Sequence, residues 1–227
     1  VGFRSTQGTW EAWFYAKTMP TAQLNMIMAK DDGSANNDDF LLAILNNQLF
    51  FNNDDSTSNG QVNIWSNTDI SINRWYHVAV TWSSAGMKMY VNGKFDVQNN
   101  NNTQLVGPGE SVRIGSRRGT TEFFHGFIDE VRIWNTVRSE AQIQQNMLTK
   151  LSGNESGLVA YYTFDHTDGY TLFDQTSNAY NGTLENSMNP ETDWYPSTAP
   201  VGDCANIDTG TGSLLANETV PVTIKWS

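Results

Sequence analysis

Carboxylates are the groups in this sequence best suited to chemistry, and their spacing limits what that chemistry is. Asp129 and Glu130 are adjacent in Gly126-Phe-Ile-Asp-Glu-Val-Arg-Ile-Trp134. Glycoside hydrolysis takes two acids flanking one bond. On a strand such a pair stands two or four residues apart, because neighbouring side chains point to opposite faces. Asp129 and Glu130 therefore do not make the pair, no Glu-x-Asp-x-x-Glu run occurs elsewhere, and Glu11 stands alone among aromatics. His77, His125 and His166 lack zinc-type spacing, and His77 reads as a packed or hydrogen-bonded histidine. There is no Gly-x-Ser-x-Gly elbow and no glycine-rich phosphate loop. Cys204, the single cysteine, has no disulfide partner and no evident base. No catalytic residue is assigned, and the expectation is a protein that is not an enzyme.

Binding chemistry is better supplied. Trp65 follows a polar loop and has Asn63, Asn67 and Asp69 as neighbours. An aromatic ring to stack on a sugar, with amides and a carboxylate for its hydroxyls, is a polyol-binding composition. Arg117 and Arg118 are candidates for contacting an anionic sugar. The plainer reading is that Trp65 packs a sheet edge, as most of the eight tryptophans belong to the core. Asp31, Asp32, Asp38 and Asp39 bracket a polar loop, which reads as a solvated loop before it reads as a cation site.

Composition narrows the partners. The 227 residues carry 13 Lys and Arg against 24 Asp and Glu, a net charge of −11. A chain so acidic, with no basic block, is a poor partner for nucleic acid. No apolar run approaches 18 residues, which excludes an ordinary membrane-spanning helix. Four Asn-x-Ser/Thr sequons, at Asn101, Asn154, Asn181 and Asn217, are explained by the abundance of Asn.

The elements that must position these groups are mostly short strands. Thr9–Ala16 is aromatic, and Phe40–Phe51 reads as two strands joined at Asn46-Asn47. Between Arg74 and Trp82 the residues alternate, Trp75, His77, Ala79 and Thr81 on one face and Tyr76, Val78, Val80 and Trp82 on the other. Met87–Val91 returns the chain to Asn92-Gly93, a tight turn. Ser111–Gly115 is a further short strand, and strict alternation over Phe127–Trp134 places Phe127, Asp129, Val131 and Ile133 on one face. Ser139 with Gln142 forms a capping box ahead of the Ile143/Met147 apolar pair, which predicts one short helix. Strands resume over Leu158–Phe164, and Tyr170–Asn189 is rich in turns. The fold class is all-β, a two-sheet antiparallel β-sandwich with one short helix. Residues 1–189 form the domain. Residues 190–227 are a linker with an edge strand, or the start of a following domain.

Four stretches in order resemble the laminin-G-like jellyroll family of the concanavalin A-like lectin/glucanase superfamily. They are Thr9-Trp-Glu-Ala-Trp-Phe-Tyr15; Arg74–Trp82 continuing to Met89-Tyr-Val-Asn-Gly-Lys94; Gly126–Trp134 with the Ser139 helix; and Gly157–Phe164 through Asp174-Gln-Thr-Ser-Asn178. The resemblance implies a jellyroll and a structural calcium ion held by Asp129, Asp174 and Asn178. Read from the residues alone, Asp129 equally pairs with Arg132 or caps loop amides, and Asp174 is a turn former. The family implies a secreted or cell-surface module that binds a glycan or polysaccharide. The alternatives are calcium-dependent adhesion to a cell-surface protein, and a glycoside hydrolase. A start at Val1, without Met or an apolar leader, is read as a processed or excised piece.

Overall fold

The computed structural model describes residues 5–31, 40–53, 62–101, 111–118, 122–165, 169–185, 188–202 and 222–226, the last of these for backbone only. Asp32, Asp38, Asp39, His166, Cys204 and the sequon at Asn217, all singled out above, lie outside the described residues.

Two antiparallel sheets make the sandwich. The smaller is built from β2 (Asn25–Lys30), β3 (Phe40–Leu45), β4 (Gln48–Asn53), β5 (Val62–Asp69) and β9 (Arg113–Ile114), in the order β5-β4-β3-β2-β9. The larger contains β1 (Gly8–Ala16), β6 (Trp75–Ser83), β7 (Gly86–Val91), β8 (Lys94–Asn99), β10 (Gly126–Trp134), β11 (Leu158–Tyr162), β14 (Trp194–Pro196) and β15 (Val222–Trp226). Its order is β14-β15-β10-β1-β6-β7-β8. The free edge of β10 is shared, with β15 beside Gly126–Ile128 and β11 beside Val131–Trp134. A small hairpin, β12 (Thr171–Leu172) with β13 (Gly182–Thr183), stands apart. The one described helix, α1, spans Glu140–Asn146 and carries the expected capping box.

Alternation sends Trp10, Ala12 and Phe14 of β1 and Val78, Val80 and Trp82 of β6 into the space between the sheets. There the aromatic rings meet edge to face. Phe40 of the small sheet lies 4.3 Å from Trp10, 4.6 Å from Phe51 and 4.7 Å from Trp82. Such T-shaped contacts fix the sheet separation by shape as well as by burial. Both hairpin turns form where the sequence places them. Asn46 and Asn47 adopt φ of 50° and 67°, and Asn92 and Gly93 of 50° and 76°, the left-handed pairs a two-residue turn needs.

β10 does not keep the expected alternation. Ile128, Val131 and Ile133 face the core, whereas Phe127 packs on Tyr15 and Tyr195 outside it. Ile128 and Val131 share a face only if one residue is inserted between them. That insertion is a bulge opposite Glu11 and Trp13, where Glu130 takes φ of 51°. The expected face of Phe127, Asp129, Val131 and Ile133 is therefore split, and Glu130 and Arg132 turn together toward α1.

On that outer face lies a buried polar network. Arg132 donates to Glu130 at 2.7 Å and to the carbonyls of Asn146 and Thr149 at 2.8 Å each, which fastens the end of α1 to the sheet. The Tyr161 hydroxyl donates to the same Glu130 oxygen at 2.6 Å, and Trp13 Nε1 donates to the Met147 carbonyl at 2.7 Å. Ile143 completes the contact against Ala79 and Tyr90. His77 Nε2 sits 3.4 Å from Glu11 Oε2, both fully enclosed. Burial holds the His77 imidazole below its ordinary pKa, and the Arg132 charge adds to this against the pull of Glu11. Burial would raise Glu11. The hydrogen bond and charge of His77 and the guanidiniums of Arg132 and Arg138 outweigh it, so Glu11 stays below the usual carboxylate value.

Both shifts have the same sign for stability. The unfolded chain binds more protons than the folded one once the pH drops below the ordinary histidine value of 6.5. Stability is full above that point and is lost as pH falls, first through His77 and then through Glu11. Urea midpoints measured at pH 7.5 and pH 5.5 should decrease with acidification. His77→Gln should flatten that decrease, and an unaltered slope in the variant would remove His77 from the account.

Candidate functional site

The residues expected to bind ligand separate into two groups. Asn63, Trp65, Asn67 and Asp69 follow one another at every second position of β5, on the face turned away from the core residue Ile64. Trp65 is 36% exposed and its ring is tilted by 44° against that of Phe50, with centroids 4.5 Å apart. Asn67 is committed to β8, its side-chain amide donating to the Asp96 carbonyl at 2.7 Å and its backbone N–H to the Asp96 carboxylate at 2.6 Å. Arg117 and Arg118 belong elsewhere. They follow β9 at the opposite edge of the small sheet, four strand spacings or roughly 19 Å away. Each donates through Nε to the enclosed carboxylate of Asp31, Arg118 at 2.9 Å. A buried carboxylate needs such partners, so these arginines neutralise Asp31 and do not join the Trp65 face.

Asp174 and Asn178 fasten a loop. One Asp174 oxygen accepts from the N–H groups of Tyr161 (3.0 Å) and Thr176 (2.9 Å). The other accepts from the Thr176 hydroxyl (2.8 Å) and the Tyr180 N–H (2.9 Å). Asp174 N–H in turn donates to Asn181 Oδ1 at 3.0 Å, and Asn178 Nδ2 donates to the Val159 carbonyl at 2.9 Å. Segment 173–181 is thus clamped to β11. Asp129 does a comparable task at the other end of β10, accepting from Ser197 Oγ and from the Glu130 N–H. Through Ser197, and through Trp194 in the core, residues 194–199 are tied to the sandwich, and β15 lies inside the sheet between β14 and β10.

These contacts bear on the calcium expectation. Four N–H and O–H dipoles aim their positive ends at the Asp174 carboxylate, the directions a cation would have to occupy. Asp129 is held by a different set of donors. No group of three or more His, Cys, Asp or Glu able to hold a metal occurs among the described residues. Asp129, Asp174 and Asn178 each bond to different protein groups.

The clamped loop forms one wall of a cleft of about 310 Å³, open to solvent, between β9, β11 and the β12–β13 hairpin. Its floor is apolar, with Ile133, Ala160, Leu172 and Leu184. Its rim carries Arg113, Tyr180, Asn181, Thr183 and Glu185. Tyr180 is 37% exposed, and its carbonyl accepts from the Tyr162 hydroxyl at 2.7 Å. Burial, with the Asp174 charge beside it, pushes the Tyr162 phenol up, so it stays a donor at neutral pH. Arg113 donates to the Asp31 carbonyl at 3.3 Å. An apolar floor with a ring of hydrogen-bonding groups is the usual make-up of a small-molecule site. None of the rim residues stood out in the sequence as a sugar contact. Asn181-Gly182-Thr183 reads there as a turn, and only the fold brings it opposite Arg113.

Comparison with known proteins places this architecture. The sequence model of the concanavalin A-like lectin/glucanases superfamily matches residues 1–144. No curated protein is a significant match. Among solved structures, a Bacteroides ovatus protein described as a candidate carbohydrate-binding protein is similar, at 26% identity and a TM-score of 0.64. The match covers 81% of this chain and 53% of that one, so this chain spans about half the length of that relative. The CBM40 domain of the Ruminococcus gnavus IT-sialidase, bound to α2,3-sialyllactose, matches at 17% identity and a TM-score of 0.52, over 63% of this chain and 83% of its own. Domain 4 of an extracellular arabinanase from Geobacillus stearothermophilus, in complex with arabinotriose, matches at 19% identity and a TM-score of 0.50, over 63% of this chain and 67% of its own. At such identities the last two show the fold.

With the loop clamped by protein donors, EDTA should leave the thermal midpoint unchanged. Asp174→Ala, which strands four donors, should cost about 2–3 kcal/mol. A drop of several degrees in EDTA, restored by added calcium, would return Asp174 to the role of metal ligand.

Proposed function

The chain belongs to the concanavalin A-like lectin/glucanases superfamily as a laminin-G-like jellyroll domain, and from that premise we propose that it is a non-catalytic carbohydrate-binding module. The observation that carries this reading is the cleft beside the β12–β13 hairpin. Its volume of about 310 Å³ suits one or two sugar rings. Its apolar floor offers a surface for the C–H face of a ring, and Asn181, Thr183, Glu185 and Arg113 offer donors and acceptors for the hydroxyls. The candidate carbohydrate-binding description of the Bacteroides ovatus relative supports the same ligand class. Glu185 is the one acid among the described residues lining the cleft, whereas glycoside hydrolysis takes two.

The module acts outside the cell, in a secreted or surface protein. That location suits the fold family and a surface that is polar with only 16% charged residues. No helix among the described residues is long and apolar enough to cross a membrane. The partner is a glycan or polysaccharide. The Trp65 face is a separate surface at the far edge of the small sheet, and the cleft is the primary site.

The test is a glycan array followed by titration of the strongest hit. Tyr180→Ala removes a rim side chain and leaves the backbone bonds of the Asp174 clamp in place. It should weaken binding about tenfold, on the order of 1.4 kcal/mol, with Trp65→Ala binding as the parent does. Loss of binding in Trp65→Ala alone would move the site to β5. Release of reducing ends from the bound glycan would overturn the non-catalytic reading.

A further inference from the structure

A second groove, distinct from the cleft, lies on the outer face of the large sheet between β7 and the residues that lead into α1. Its volume is about 470 Å³, and Thr81, Ser83, Lys88, Tyr90, Arg138 and Glu140 are among its walls. Arg138 is the anomaly there. The residue is only 9% exposed, and its guanidinium lies 4.0 Å from the centroid of the Trp134 ring. Its Nε is buried without an acceptor, and among the described residues neither of its terminal nitrogens makes a hydrogen bond to the protein. Glu11 attracts it through charge from within the sheet, without reaching ion-pair distance among the described residues. An arginine held over an indole, with its fork unpaired among the described residues, is preorganised for a planar anion and has little left to lose on binding one.

We propose that this groove binds the carboxylate of an acidic sugar. Arg138 takes the carboxylate on its fork, and the exposed Lys88 adds a second positive charge. The hydroxyls of Thr81, Ser83 and Tyr90 face the sugar's own hydroxyl groups. Glu140 is the acid at the rim, and its Oε1 already accepts from Phe95 N–H at 3.1 Å and from Gln144 at 3.4 Å. Its remaining charge, together with the net charge of −11, disfavours a polyanion and selects a ligand with a single isolated carboxylate.

The experiment is an NMR titration of the full chain with sodium glucuronate, and with glucose as the neutral control, at constant ionic strength. The Arg138 Nε–H resonance should shift saturably with glucuronate and stay in place with glucose. Arg138→Gln should abolish the accompanying shifts of the Thr81 and Tyr90 amides. Lys88→Gln, an exposed substitution that leaves the Trp134 contact alone, should weaken glucuronate binding threefold or more. Tyr180→Ala should leave it unchanged, which separates this groove from the cleft. Equal shifts with glucose, a linear response without saturation, or undiminished affinity in Lys88→Gln would each overturn the proposal.

Discussion

Arg132 is the residue on which the outer half of this molecule depends. Its guanidinium is almost completely enclosed, and a charge in that position is tolerable only with partners. Glu130 and the carbonyls of Asn146 and Thr149 bond its terminal nitrogens and the ring of Tyr161 lies at 5.4 Å, whereas Nε is buried without an acceptor. Glu130 and Arg132, two residues apart, share a face by alternation, and the bulge at Glu130 decides which face, since alternation continued from Ile128 would have sent both into the apolar core. From this one ion pair a continuous path leads to the cleft. Tyr161 donates its hydroxyl to Glu130 and its backbone N–H to Asp174, and Asp174 holds the N–H of Tyr180. The wall of the sugar-sized cleft is thus positioned by the same network that docks α1.

The sandwich distributes its surfaces by edge. The β5 edge carries the exposed Trp65 against Phe50, and the β9 edge carries the concave cleft and the Asp31–arginine cluster. Concavity matters for sugars, because a ring in a cleft exchanges water for protein contacts on several sides, whereas stacking on an exposed ring uses only one face. The buried charges do not compete with this task. Those of Glu130 and Asp174, and the terminal nitrogens of Arg132, bond within the protein, while Tyr180, Thr183 and Glu185 stand exposed at the rim.

Much of the scaffold was legible in the sequence because its elements obey local rules. The alternation over Arg74–Trp82, the Asn46-Asn47 and Asn92-Gly93 turns and the Ser139–Gln142 capping box all appear as expected. β2 was not legible. Its Met26, Ile27, Met28 and Ala29 are all fully buried, because a small apolar cluster with Leu41 and Ala43 covers the face opposite the main core, so no period of two survives. The β10 faces were misread because a bulge is a break in periodicity that the sequence alone does not announce. The site was the least legible part. Arg117 and Arg118 read as contacts for an anionic sugar, and the sequence does not show the Asp31 carboxylate that lies against both. Asp174, expected as a metal ligand, accepts from four protein donors that only the fold brings to it. The cleft joins residues near 113 to residues near 182, and only the topology brings such distant segments together.

The central claim is that glycan binds beside the β12–β13 hairpin. Mapping of backbone amide shifts in a uniformly labelled sample, titrated with the oligosaccharide that binds best, addresses it directly. The account predicts that the perturbed amides cluster at Arg113–Ser116 and Tyr180–Glu185. A cluster centred on Asn63–Asp69, with the hairpin amides unmoved, would contradict it.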